Sequence, residues 1–187
     1  MFGLFKKKGV VRNDSNCTID ITENYITING RNFEVPMHID PLIEVLGTPR
    51  SIKFKTKEED RKFLEGMHGE GMVTNRVNYV WDDLGLNCYT MNGKVLTCFG
   101  IELNHGETYP QTPKKIFTGK LTINGRHWLD AVKEGEDCEV LQHVYLGDYV
   151  ITAEYVDFEQ DMSTRDESSY TGIEISLKSG MDDMMSL

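Results

Sequence analysis

The chain has 187 residues, 39% hydrophobic and 27% charged, with a formal net charge of −10, values that fit a globular protein with its own core and exclude wholesale disorder. Its apolar runs are only a few residues long, far below the roughly 20 that a spanning helix needs, so stable membrane insertion is not expected. The excess charge is confined to residues 134–187, which carry −12; such a field repels nucleic acid and attracts a basic partner, or serves as a solvated face that aids solubility.

In chain order, Met1-Phe2-Gly3-Leu4-Phe5-Lys6-Lys7-Lys8 places its apolar residues before its charges, the reverse of a signal peptide. Residues 1–16 are expected to be a flexible terminus of a cytoplasmic protein, the alternative being a lysine tag for anionic lipid. Ile19 and Ile21, then Ile26 and Ile28, alternate with polar residues around Asn29-Gly30, which predicts a two-residue hairpin with Ile26 opposite Phe33. Residues 40–46 read as a helix with Asp40 as N-cap, Pro41 at the first position and Gly47 as the stop. A second helix is predicted over 57–66, where Thr56 and Glu59 form a capping box and Phe63-Leu64 supply an apolar side. Gly66, Gly69 and Gly71 then mark a loop over 66–75.

Residues 77–103 read as a three-stranded meander: a strand ending at Trp81, a turn Asp82-Asp83-Leu84-Gly85, strand 86–91, turn Asn92-Gly93 and strand 94–103. A two-residue turn sets Cys88 opposite Thr97 and on the other sheet face from Cys98. The cysteines Cys17, Cys88, Cys98 and Cys138 form no C-x-x-C pair and are read as reduced thiols, in keeping with a reducing cytoplasm. Residues 104–116 form a connection before strand 119–123, and Asn124-Gly125 turns the chain so that Leu121 faces Trp128. Strands 139–146 and 149–157 meet at Gly147-Asp148, residues 159–169 form an acidic loop, and a last strand spans 171–177. A Met-rich tail over 179–187 is expected to be disordered. The fold class predicted is α+β: one domain over 17–178, mainly antiparallel sheet, with two short helices in the first third. Thr27-Ile28-Asn29-Gly30-Arg31 recurs as Thr122-Ile123-Asn124-Gly125-Arg126, through either duplication or convergence on a good turn.

The sequence contains no recognisable catalytic motif. Asp82-Asp83 is explained by turn formation, since adjacent carboxylates splay apart. His68-Gly69-Glu70 and His105-Gly106-Glu107 have no metal-ligand spacing, and neither a nucleophile elbow nor a phosphate-binding loop occurs. No catalytic residue, metal or cofactor is therefore assigned. Tyr145, Tyr149 and Tyr155 lie beside the acidic third, and the partner-binding set predicted is Asp157, Glu159, Asp161, Asp166 and Glu167 with Tyr149 and Tyr155.

Leu46-Gly47-Thr48-Pro49, Tyr79-Val80-Trp81-Asp82-Asp83-Leu84-Gly85 and Phe117-Thr118-Gly119-Lys120-Leu121-Thr122-Ile123-Asn124-Gly125 together resemble an uncharacterised family of small bacterial proteins, over roughly residues 25–130. The chain also resembles cognate immunity proteins of contact-dependent or type VI toxin systems, which are small, cytosolic and often acidic, some with N-termini similar to Met1-Phe2-Gly3-Leu4-Phe5. That resemblance implies a non-catalytic protein that neutralises a basic toxin domain through its acidic surface. The alternatives are a β-rich protein enclosing a small apolar ligand, and an enzyme with a dispersed site in which a cleft brings His68 or His105 beside a carboxylate.

Overall fold

The computed structural model describes residues 16–34, 37–68, 73, 75–105, 109–138, 141–155 and 161–177. The N-terminal lysine segment, the Met-rich tail, Asp157, Glu159 and the side chain of His68 lie outside the described residues. Strands β1 (Thr18–Ile21), β2 (Ile26–Ile28) and β3 (Arg31–Phe33) form as the alternation predicts, with Ile26 paired to Phe33. Asn29 and Gly30 both take positive φ, 50° and 82°, the conformation an Asn-Gly hairpin turn requires.

Helix α1 (Ile39–Leu46) begins one residue before the predicted start. Asp40 is therefore not the N-cap; it sits in the first turn, where its charge still favours the helix dipole, and His38 occupies the cap without a side-chain bond. Strand β4 (Arg50–Lys53) follows, then helix α2 (Glu58–His68), which starts two residues after the predicted cap Thr56, so that Glu59 lies in its first turn. Phe63, expected to face a core, is 58% exposed.

Strands β5 (Val77–Trp81), β6 (Leu86–Thr90) and β7 (Leu96–Glu102) form the predicted meander in a different register. Cys88 pairs with Phe99 instead of Thr97, and the ladder shifts between Tyr89 and Thr90. The cause is local: Asn92 Oδ1 accepts the N–H groups of Lys94 and Val95 at 3.0 and 2.8 Å, which widens the turn. A displacement of two residues preserves the side-chain face, so Cys88 and Cys98 still point to opposite faces; all four cysteines are free thiols.

The second Asn-Gly turn joins β8 (Lys120–Ile123) to β9 (Arg126–His127), but Trp128 is not opposite Leu121. It opens a third helix, α3 (Trp128–Lys133), where the hairpin register sets Trp128 in a strand and residues 129–133 carry no expected element. His127 Nδ1 accepts the N–H of Leu129 as an N-cap, and Trp128 and Val132 turn into the core. Strands β10 (Glu136–Cys138), β11 (Leu141–Leu146), β12 (Tyr149–Tyr155) and β13 (Tyr170–Leu177) complete the chain, with 3-10 turns at Met162–Thr164 and Glu167–Ser169 before β13.

The strands make two sheets, β3-β2-β1-β8-β9 and β10-β11-β12-β13-β7-β6-β5-β4. Every named pairing is antiparallel except β1 with β8. The two repeated segments thus flank one strand, β2 antiparallel on one side of β1 and β8 parallel on the other. Ile19, Ile21, Ile28, Leu121 and Ile123 from the smaller sheet join Leu86, Phe99, Ile101, Ile151 and Ile173 from the larger in one core, with Leu42 of α1 and Trp128 of α3. The architecture is α+β, with two sheets sharing one core to which α1 and α3 contribute buried side chains. Among the described residues no helix is long and apolar enough to cross a membrane.

Candidate functional site

A cleft of about 400 Å³ lies beside β8, with Phe117, Lys120, Leu121, Thr122, Trp128 and Glu167 among the residues that line it. One side begins where the chain enters β8. A Cβ on Gly119 would lie 2.1 Å from the Cys17 carbonyl oxygen and 2.6 Å from the Phe117 ring, so glycine is what allows β8 to run this close to β1. Phe117 N–H donates to the Glu102 carbonyl at 2.6 Å, which ties the cleft wall to the end of β7.

The opposite side is the Glu167–Ser169 turn. Asp166 caps it through Oδ1, which accepts the Ser168 N–H at 2.9 Å, while Ser169 Oγ accepts the Asp166 N–H at 3.1 Å. The Asn104 carboxamide donates to the carbonyls of Glu167 and Tyr170 at 3.1 and 2.7 Å. The turn is thereby fixed to the end of β7, and it holds Glu167 Oε1 3.2 Å from His127 Nε2. His127 Nδ1 accepts the Leu129 N–H at 3.3 Å, so the ring stands between the start of α3 and the turn.

Trp128 is backed by an aromatic column: its ring meets Tyr170 edge-on at 5.5 Å, and Tyr170 meets Tyr155 at 6.3 Å. The guanidinium of Arg165, itself buried, lies 3.6 Å from the centre of the Tyr155 ring. Tyr155 OH donates to Asp137 Oδ1 at 2.9 Å, and Tyr170 OH donates to Gln142 Oε1. Burial, and then the Asp137 bond, push the Tyr155 phenol above its ordinary pKa.

The predicted residues separate into three groups. Asp161, Asp166 and Glu167 are exposed in the two 3-10 turns, and Glu167 lines the cleft. Hydrogen bonds from Ser163 and from Ser168 hold the carboxyls of Asp161 and Asp166 below the usual range. Tyr149 and Tyr155 are only 3% exposed each, which corrects their assignment to a binding surface. The period of two along β12 places them with Ile151 and Ala153 on the core side. Tyr145 on β11, at 48% exposure, is the tyrosine of this hairpin that meets solvent. Asp157 and Glu159 lie outside the described residues. His127, Phe117 and Asn104 were not singled out from sequence as cleft residues, whereas Trp128 was among the aromatic residues read as candidates for an interface or cavity. The Asn124-Gly125 turn was a signal for the neighbourhood, but their convergence depends on the third helix and on contacts distant in sequence.

Two further charged groups lie outside the cleft. Asp82 accepts Arg50 Nε and Nη2 at 2.8 and 2.9 Å, which holds its carboxyl down to about 2, while Asp83 pairs with Lys115 at 2.6 Å; the adjacent carboxylates diverge as turn residues do. Glu102, Glu154 and Glu174 share the sheet face opposite Ile101, Ala153 and Ile173. Burial, and then the charge of Glu154, push Glu102 up to about 7, and His105 Nδ1 lies 3.6 Å from it. No group of three His, Cys, Asp or Glu among the described residues is arranged to hold a metal ion. Burial raises the Cys17 thiol to about 11 and Cys88 further still, which makes both poor nucleophiles at neutral pH.

Fold and cleft together define a two-sheet α+β module with an open cleft that Glu167 edges. The chain belongs to the family described as a domain of unknown function, DUF7738, whose model matches residues 18–137. The match takes in both Asn-Gly hairpins, all three helices and the meander; β11 to β13 and the turns bearing Asp161, Asp166 and Glu167 lie beyond it. No curated protein and no solved structure matches the chain.

Proposed function

We propose that the protein is a non-catalytic binding module for a basic protein, acting in the cytoplasm as an immunity protein that covers the active site of its cognate toxin. The observation that carries the reading is the cleft edge. Glu167, with Asp166 beside it, stands in a turn fastened by its own capping bonds and by Asn104, with its Oε1 3.2 Å from His127 Nε2. Such an arrangement supplies fixed negative charge and shape, which suits recognition of a basic partner. A toxin whose substrate is polyanionic presents a basic cleft, and Asp161, Asp166 and Glu167 offer carboxylates where phosphates would sit.

The test is co-expression with the product of the gene immediately upstream, followed by affinity purification of either one. A 1:1 complex that relieves the partner's toxicity is the expected result; two proteins that elute separately, with toxicity unrelieved, contradict the reading. A second reading, small-ligand binding, is favoured by the cleft volume of about 400 Å³, within the range of ligand pockets. Native mass spectrometry of the purified chain checks it: an adduct lost on unfolding supports a ligand, and the bare mass opposes one.

A further inference from the structure

We infer that Arg165 is the positioning residue of the acidic surface, seating the segment that carries Asp161, Asp166 and Glu167 against Tyr155 and Asp137. The inference rests on the binding reading above and names the residue that gives its charges a fixed place. Residues 161–169 run between β12 and β13 and contain both 3-10 turns. Among the described side chains of this segment Arg165 alone is buried, at 3% exposure, while Asp161, Ser163, Thr164, Asp166, Glu167 and Ser168 are exposed. A connecting segment that buries so little needs a specific contact to hold one position on the surface.

Bonds inside the turns do not supply that contact. Asp161 Oδ1 accepts the Ser163 N–H at 2.8 Å, and Asp166 Oδ1 accepts that of Ser168 at 2.9 Å, which shapes each turn without fixing it to the sheet. Asn104 and His127 fasten the second turn from the side of β7 and α3. Arg165 stands between the two turns and reaches the larger sheet. Its guanidinium lies 3.6 Å from the centre of the Tyr155 ring on β12, and its Nη1 lies 4.0 Å from Asp137 Oδ1 on β10. The same oxygen accepts Tyr155 OH at 2.9 Å, so ring, cation and carboxylate form one closed group. Tyr155 is also the foot of the aromatic column that ends at Trp128 in the cleft wall. The seat of the acidic turns and the wall of the cleft therefore belong to one packed unit.

The chemistry of the contact selects arginine. Among the described residues Arg165 Nε and Nη1 have no hydrogen-bond partner, so hydrogen bonding from these atoms does not hold the buried cation. A guanidinium is planar, stacks on a phenol ring and is less strongly hydrated than an ammonium. It also places one positive charge in the middle of a segment that carries three carboxylates. Hydrogen bonds from Ser163 hold the Asp161 carboxyl down, and the charge of Arg165 adds to that effect. A methionine fills similar space without the charge, and a lysine keeps the charge without the plane.

The experiment compares Arg165→Met and Arg165→Lys with wild type by amide exchange and carboxyl titration, both followed by NMR on the full chain. Thr164 and Ser169 report on the two turns, since their N–H groups donate to the carbonyls of Asp161 and Asp166 at 2.9 and 3.0 Å. Expected for Arg165→Met are exchange faster by about tenfold or more at both amides, unchanged exchange along the β11–β12 ladder, and an Asp166 carboxyl that rises toward the ordinary carboxylate range as its serine bonds loosen. Arg165→Lys should show a smaller rise of the same kind, and it decides the question if Arg165→Met does not fold. Wild-type exchange at Thr164 and Ser169 in the folded variants overturns the inference, as does protection lost evenly over β12 and β13, which marks a core residue without a positioning role. The co-purified partner complex separates the two claims. Arg165→Met removes a positive charge from an acidic surface, so charge alone predicts tighter binding of a basic partner, whereas lost positioning predicts dissociation faster by about tenfold. A retained complex with wild-type exchange in the variants removes the positioning role and leaves the binding reading intact. Faster exchange in the variants with no upstream partner retained leaves the positioning role and removes the immunity reading.

Discussion

Replacing Glu102 with Gln should make the protein more stable at pH 8 and change little at pH 4.5. Glu102 lies on the outer face of the larger sheet with its side chain 17% exposed, and its carboxyl is raised from 4.5 to about 7 by burial and by Glu154. A raised folded pKa means that the folded chain binds this proton more tightly than the unfolded chain does. The stability it contributes is fully present below about 4.5 and is lost as the pH rises through about 7. Each pKa unit corresponds to about 1.4 kcal/mol, so between 4.5 and about 7 the ionised side chain costs at most about 3.5 kcal/mol. Glutamine keeps the shape and removes the charge. Urea unfolding of both proteins, followed by the fluorescence of buried Trp81 and Trp128, should show a higher midpoint for Glu102→Gln at pH 8 and near-coincident curves at pH 4.5. Equal stability at both pH values refutes the reasoning, as does a variant that is less stable at pH 8.

Asp82→Asn should cost about 2 kcal/mol at pH 7, because the Arg50 pair lowers the Asp82 carboxyl from 3.8 to about 2. That contribution is present above 3.8 and fades as the pH falls through about 2, so urea midpoints of wild type and variant should converge in strong acid. Gly119→Ala should be far more damaging than Gly30→Ala in thermal unfolding. The first places a methyl 2.1 Å from the Cys17 carbonyl oxygen and should cost about 3 kcal/mol or more, whereas the second meets nothing within 4 Å and should lose about 1 kcal/mol through its positive φ. Trp128→Ala removes a buried side chain that walls the cleft and should cost about 3–5 kcal/mol, read as a lower urea midpoint.

Local chemistry was legible in the sequence wherever it decided the structure alone. Asn29-Gly30 and Asn124-Gly125 adopt the positive φ their residue types favour, and the alternation of Ile19, Ile21, Ile26 and Ile28 identifies the core face of the first hairpin. The Asn92-Gly93 turn misled because the Asn92 side chain bonds two main-chain N–H groups and substitutes for the tight turn. Strand β4 has one aliphatic residue, Ile52, and owes its conformation to pairing with β5, which no local pattern announces. The Asn124-Gly125 hairpin register extends to Trp128, but the His127 cap and the burial of Val132 make that residue helical. Of the site, the acidic turns were visible as charge, whereas the approach of Glu167 to His127 joins residues far apart in sequence and needs the fold. Tyr149 and Tyr155 show the reverse case: their alternation with Ile151 and Ala153 marks a core face, and proximity to acidic residues in sequence was the weaker guide.

The central claim is that the exposed carboxylates beside the cleft recruit a basic protein. The measurement that tests it most directly is the association rate with the upstream gene product, by stopped-flow at low and physiological salt, for wild type and for a variant carrying Asp161→Lys, Asp166→Lys and Glu167→Lys. Steering by these charges predicts a rate that falls by about tenfold or more at low salt and loses most of its salt dependence. A triple variant that associates as fast as wild type, with the same salt dependence, contradicts the account.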